Sequence, residues 1–127
     1  MTTQVSQSTG LDHVSKALQA VHKHLLTFQT EQTGFNGSPL QLFDRVTKDG
    51  AFAWLKPLRD TIVSIDQRLA DEKPISDEET KAFGNQCRSL LDAKSGPFRD
   101  GLNAAYQSHP EAILAVATAR RSVEAIK

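Results

Sequence analysis

The segment from residue 10 to residue 32, GLDHVSKALQAVHKHLLTFQTEQ, carries the clearest periodic pattern in the chain. Its apolar residues alternate in steps of three and four: Leu11, Val14, Leu18, Val21, Leu25 and Phe28. This spacing places them in one stripe along an α-helix, like the seam along which the helices of a bundle pack. Thr9 followed by Asp12 is a variant of the capping box, so the helix is predicted to begin at about residue 10.

Three further long helices and two short ones are predicted downstream. They are expected at about residues 39–48, 50–70, 76–95, 97–108 and 110–126. Ser38 followed by Pro39 is a typical helix start, and Ser76 with Glu79 forms a capping box. No segment alternates apolar and polar residues over the length of a strand. The predicted fold is therefore all-α, a compact helical bundle of four main helices plus two short helices with mostly antiparallel neighbours.

Pro57 interrupts the apolar pattern of the helix predicted at about residues 50–70. Proline lacks a backbone donor and disfavours helical geometry at the preceding residue, here Lys56. The helix therefore begins either near Pro57, or near Gly50 with an irregularity around the proline. The start near Gly50 is favoured because Asp49 offers an N-cap.

Length, charge and the single cysteine limit the classes of protein to which the chain can belong. Its 127 residues fit one helical domain over residues 10–127, preceded by a flexible polar tail over residues 1–9. Lys plus Arg equals Asp plus Glu at 15 each, which gives no electrostatic reason to expect nucleic acid or a membrane surface as partner. The chain has neither the features of a signal peptide nor the roughly 20 apolar residues of a transmembrane helix. Cys87 has no partner for an internal disulfide, so a cytoplasmic location is predicted.

The four histidines do not follow a metal-binding pattern. His22 and His24 are two positions apart and so point to opposite sides of a helix. Neither His13 nor His109 is followed by a second ligand at helical spacing, and the motifs Glu-x-x-His and His-Glu-x-x-His do not occur. The sequence therefore predicts no metal site and no cofactor.

A second interpretation of the histidines concerns phosphoryl transfer. The segment VHKHL at residues 21–25 resembles the phosphoacceptor helix of histidine phosphotransfer modules. It departs from that family because a Lys-Gly pair usually follows the histidine closely, whereas the next glycine here is Gly34. A phosphotransfer-like module is kept as a minor alternative.

Phe52, Trp54 and Tyr106 are the candidate residues for binding a partner or lining a pocket. On a continuous helix Trp54 flanks the apolar seam and Phe52 lies about 100° from it. Phe52 then packs either on the predicted short helix that carries Phe43 and Val46, or in an exposed aromatic patch that binds another chain. Packing within the chain is favoured. Tyr106 and Trp54 are also candidates for a ligand pocket between helices.

The same aromatic stretch carries a resemblance. The sequence FAWLKPL at residues 52–58, continuing as IVSID at residues 62–66, resembles a segment of uncharacterised bacterial helical proteins of similar length. The similar residues make up about a tenth of the chain. The resemblance implies a bacterial, cytoplasmic, helical protein and carries over no functional residue.

The motifs of common enzymes are missing from the sequence. It contains neither a Gly-x-Ser-x-Gly nucleophile motif nor a convincing phosphate-binding loop. The favoured function is therefore a non-enzymatic helical bundle that self-associates or binds another protein. The alternative is a small-ligand-binding bundle or an enzyme with a pocket between helices. The predicted partners are a second copy or another protein, without nucleic acid or membrane, while a small molecule stays open.

Overall fold

The computed structural model describes residues 3–33, 37–38, 40–41 and 50–126. These residues form five α-helices and one 3-10 helix, and no strand occurs among them. In chain order the elements are α1 (Thr3–Thr33), the 3-10 helix (Gly50–Leu55), α2 (Lys56–Ala70), α3 (Asp77–Leu91), α4 (Pro97–Ser108) and α5 (Glu111–Ala125). The prediction of a compact all-α fold is confirmed.

Helix α1 begins earlier than the sequence pattern indicated. Residues 3–9 were expected to form a flexible polar tail, but the helix starts at Thr3, and Thr9 lies inside it instead of capping it. The early start is compatible with the sequence, since residues 3–9 contain no proline or glycine. Gly10, which does weaken a helix, lies close to the end of α5, where an added Cβ would come within 2.6 Å of Ile126 Cγ2.

The apolar seam of α1 forms the centre of the core. All six of its residues are buried: Leu11, Val14, Leu18, Val21, Leu25 and Phe28. Helix α1 packs mainly against α5 and α2, and it also contacts the 3-10 helix, α4 and α3. The buried face of α5 consists of Ala112, Val116, Ala119 and Val123, which are small enough to let the two helices approach closely.

The irregularity at Pro57 is a change of helix type. The 3-10 helix ends at Leu55 and α2 follows at once from Lys56, with Pro57 in the first turn, where a missing N–H breaks no intrahelical bond. The Thr61 hydroxyl donates to the Pro57 carbonyl at 2.8 Å. A helix does start at Gly50, but it is a separate 3-10 helix, whereas the α-helix begins at Lys56 next to Pro57, as in the other alternative. The proposed cap Asp49 lies outside the described residues.

Two predicted helix starts are capped as expected. At the start of α3, the Glu79 amide donates to Ser76 Oγ at 3.0 Å and the Ser76 amide donates to Glu79 Oε1 at 3.1 Å. The same reciprocal pair joins Ser38 and Gln41, at 3.2 and 2.8 Å. Most of the predicted short helix at residues 39–48 lies outside the described residues.

Two arginines from different helices bind the end of α3. The Leu91 carbonyl accepts hydrogen bonds from Nη2 of Arg99 on α4, at 2.8 Å, and from Nη2 of Arg120 on α5, at 3.0 Å. Arg120 Nε also pairs with Asp92 Oδ1 at 2.9 Å. The last carbonyls of a helix have no partner within it, so these contacts satisfy one of them and join three helices at a single point.

A polar contact joins α1 to α2 beside the apolar seam. The hydroxyl of Ser15, which is buried, donates to Asp66 Oδ1, and Gln19 Nε2 donates to Ser15 Oγ at 3.0 Å. Asp66 therefore binds side chains of α1. On α2 itself, Lys56 Nζ pairs with Asp60 Oδ2 at 2.6 Å.

Truncation of two seam residues tests the core. Leu18 is 0% exposed and Ile62 is 9% exposed, so Leu18→Ala and Ile62→Ala each leave a cavity and are expected to lower the free energy of unfolding by about 2–5 kcal/mol. Lys23 is exposed, and Lys23→Ala is expected to change the free energy of unfolding by less than about 0.5 kcal/mol. Urea unfolding measures all three. An equally large loss for Lys23→Ala would mean that α1 is buried on both faces.

The capping box of α3 predicts an acid-dependent contribution to stability. The Arg68 guanidinium, with Nε 2.7 Å from Glu79 Oε2, and the Ser76 amide lower the pKa of Glu79 from 4.5 to about 2. A lowered native pKa stabilises the fold above pH 4.5, and this stabilisation disappears as the pH falls towards 2. Glu79→Gln is therefore expected to destabilise the protein near neutral pH but not near pH 2. Urea unfolding as a function of pH measures this difference.

Glu78 lies in the same first turn and provides the matched control. Glu78 is exposed, so Glu78→Gln should give a smaller effect with no comparable loss in acid. Parallel pH profiles for the two variants would contradict the assignment to the Glu79 contacts.

Candidate functional site

Two of the three candidate aromatic residues lie on the 3-10 helix, and both pack inwards. Phe52 is fully buried and so presents no surface to a second chain. Trp54 is half-buried, its Nε1 donates to Gln29 Oε1 of α1 at 2.9 Å, and its ring centroid lies 6.0 Å from that of Phe98 on α4. These contacts favour packing within the chain. The proposed partners Phe43 and Val46 lie outside the described residues.

Tyr106, the third candidate, is half-buried on α4 and packs against the core. Burial raises the pKa of its phenol, so the hydroxyl stays protonated at neutral pH. Neither of the two grooves described below is lined by Tyr106, Trp54 or Phe52. The structure therefore does not bring the three candidate residues together around either groove.

A glycine makes room for the Trp54 ring. A Cβ built on Gly101 of α4 would lie 2.2 Å from Trp54 Cε3, much closer than two carbon atoms can approach. The indole therefore rests directly on the backbone of α4. Gly101 is the residue that allows this contact between the 3-10 helix and α4.

A pair of histidines far apart in sequence meets beside the C-terminal half of α1. His24 Nδ1 lies 3.1 Å from Nε2 of His109, the residue that follows α4, and the two ring centroids are 5.2 Å apart. Glu111, at the start of α5, places Oε1 4.0 Å from the same Nε2. Helical spacing within one segment could not reveal this pair, because 85 positions separate its members.

A groove runs between α1 and α5 next to this pair. It has a volume of about 300 Å³ and is lined by Ala17, Ala20, His24, Glu111, Leu114, Ala115 and Thr118. We call it the α1–α5 groove. A second depression of about 250 Å³ lies between the same helices and shares Thr118 with it. Leu114, at the edge of the groove, is 71% exposed, and the adjacent Ile113 is 46% exposed.

His22 lies in different surroundings from His24. Its Nε2 and Nη1 of Arg59 on α2 are both buried, and neither atom has a hydrogen-bond partner among the residues that the structure describes. Burial and the positive charge of Arg59 lower the pKa of His22, so its ring is held neutral. A phosphoacceptor histidine must reach a phosphoryl group on another molecule. The buried Nε2 of His22 and the contact of His24 with His109 give no support to that alternative.

Cys87 lies in the core, as its place on the apolar face of α3 indicated. It is fully buried, and burial raises the pKa of the thiol to about 11. A thiol of this kind is a small apolar core residue and not a nucleophile at neutral pH.

Among residues 3–33 and 50–126 and the few described between them, no group of three or more His, Cys, Asp or Glu side chains is arranged to hold a metal ion. None of the helices in this part of the chain is both long and apolar enough to span a membrane.

Placing a methyl group on Gly101 tests the packing of the aromatic cluster. Gly101→Ala is expected to displace the indole, break the Trp54–Gln29 hydrogen bond and cost about 1–3 kcal/mol, as overpacking does. Trp54 is the chain's one tryptophan, so a shift of its fluorescence to longer wavelength measures the displacement. An unchanged spectrum with unchanged stability would contradict this packing.

Gly84→Ala on α3 is the matched control for Gly101→Ala. A Cβ on Gly84 would meet only the flexible end of Arg88, with Nη2 at 3.2 Å. Alanine is preferred over glycine in a helix by about 1 kcal/mol. This variant should therefore keep the Trp54 spectrum unchanged and lose no stability.

Comparison of the chain with protein-family models, with curated proteins and with solved structures finds no match. The resemblance of residues 52–66 to uncharacterised bacterial helical proteins therefore stays a prediction. Any functional inference has to come from the contacts and surfaces of this chain itself.

Proposed function

We propose that the protein is a non-enzymatic helical module that self-associates through the α1–α5 groove. The observation that carries the proposal is Leu114, a large apolar side chain 71% exposed at the edge of a groove lined by alanines. Single exposed apolar residues are common on protein surfaces, but apolar side chains next to an apolar recess are typical of interfaces. Ile113, which is 46% exposed, extends the apolar surface.

A second copy of the chain is the partner that this surface fits best. In a two-fold dimer the same patch meets itself, so it has to contain both a projection and a recess. Leu114 supplies the projection and the groove supplies the recess, side by side on α5. The Leu114 side chain of each copy would enter the groove of the other. The formal net charge of zero means that two copies do not repel each other through net charge.

The dimensions and the lining of the groove favour a protein side chain over a small molecule. Its volume of about 300 Å³ is at the lower end of the range of ligand pockets, roughly 300–1,000 Å³. Three of the residues that line the groove are alanines: Ala17, Ala20 and Ala115. Their short side chains let another helix approach α1 and α5 closely. The candidate pocket residues Trp54 and Tyr106 pack elsewhere.

Replacing Leu114 by aspartate tests self-association. The wild-type chain is expected to form a dimer whose fraction rises with concentration in sedimentation velocity. Leu114→Asp should sediment as a monomer, because the interface would bury an unpaired charge. Circular dichroism should stay helical, since Leu114 is 71% exposed and contributes little to the core.

Val63 on α2 provides the control for this substitution. It is 45% exposed and does not line the α1–α5 groove, so Val63→Asp should dimerise like the wild type. A wild-type chain that stays monomeric from micromolar to millimolar concentration would overturn the proposal. Equal loss of dimer in both variants would show that the groove is not the interface.

A further inference from the structure

We infer that His24 and His109 form a binding site for one divalent transition-metal ion of the zinc, nickel and copper class. The site lies at the edge of the α1–α5 groove, of which His24 and Glu111 are lining residues. It joins α1 to the connection between α4 and α5. The inference rests on the histidine geometry alone and does not depend on self-association.

The distance between the two ring nitrogens fits a shared metal ion. Imidazole nitrogen binds zinc at about 2.0–2.1 Å, so two nitrogens at 90–110° around one ion lie about 2.8–3.4 Å apart. His24 Nδ1 and His109 Nε2 are 3.1 Å apart. An ion shared at this angle lies roughly 35–45° off the line that joins the two nitrogens, so each ring has to turn by about that amount from its hydrogen-bonded orientation to bind it.

Metal binding requires a proton to move within the histidine pair, but neither ring gains or loses a proton overall. In the metal-free pair one neutral ring donates its N–H to the unprotonated nitrogen of the other. When a metal binds, the proton of the donating ring moves through water to that ring's other nitrogen. Both Nδ1 of His24 and Nε2 of His109 then carry a free lone pair.

Glu111 places a carboxylate beside the proposed ion. Its Oε1 lies 4.0 Å from His109 Nε2, and its side chain is 64% exposed. Two imidazoles next to a carboxylate suit zinc, nickel and copper, whereas magnesium and calcium prefer oxygen ligands. No third protein ligand is arranged at the pair within the described part of the chain, so water completes the coordination. Binding is therefore expected to be reversible.

Calorimetric titration with nickel chloride tests the site. The wild type should bind one Ni²⁺ per chain, and its Tm should rise with Ni²⁺ concentration. His24→Ala and His109→Ala should each weaken binding by more than about tenfold, since even the outer partners of metal ligands contribute roughly 10- to 100-fold. Glu111→Gln should weaken it less than either, and magnesium chloride should give no binding.

The control is His13→Ala, which removes an exposed histidine from the same helix and should leave nickel binding unchanged. Equal affinity of all variants, or equal loss in His13→Ala, would overturn the inference. A second measurement uses the wild-type chain and so does not depend on the folding of any variant. Substoichiometric Cu²⁺ should broaden the ring NMR signals of His24 and His109 before those of His13 and His22. Uniform broadening of all four would equally overturn it.

Discussion

Burial of the apolar seam of α1 is the interaction on which the rest of the structure depends. One stripe of six side chains contacts α5 and α2 and reaches the 3-10 helix, α4 and α3. Because the seam is covered on both flanks, the polar residues beside it are held at helix interfaces. Ser15 meets Asp66 of α2 on one side, and His24 meets His109 at the connection between α4 and α5. Both polar contacts thus follow from the packing of the seam.

Features that depend on a few neighbouring residues were predictable from the sequence. The capping box of Ser76 and Glu79 and an interruption of the helical pattern at Pro57 are determined within one or two helical turns, although the sequence did not show that the interruption is a change of helix type. The buried seam of α1 was predictable because its period is a property of the segment itself. The start of α1 at Thr3 was not, because Thr9 and Asp12 resemble a capping box and Gly10 weakens a helix, so the local pattern indicated a start at about residue 10. The partner of Asp66 lies 51 positions away, which no local pattern indicates.

The surroundings of the candidate site residues depend more on tertiary structure than the helix caps and the apolar seam do. Phe52 was selected because aromatic residues often form interfaces, but the 3-10 helix directs its side chain into the core. His24 and His109 meet only because α1 packs beside the connection between α4 and α5. Leu114 carried a signal that could have been used. It lies off the stripe of Ala112 and Val116, so its exposure could have been predicted from the spacing of apolar residues on that helix.

The packing of α1 against α5 affects how the chain folds while it is being synthesised. Residues 34–110 separate these two helices, so α1 leaves the ribosome well before its main partner. At about 5–20 residues per second, this delay is roughly 4–15 s. During that time the flank of the seam that α5 covers is open to solvent, to other nascent chains and to chaperones. The helices therefore cannot all pack in the order in which they are synthesised. The apolar seam of α1 stays partly exposed until α5 has been synthesised and covers it.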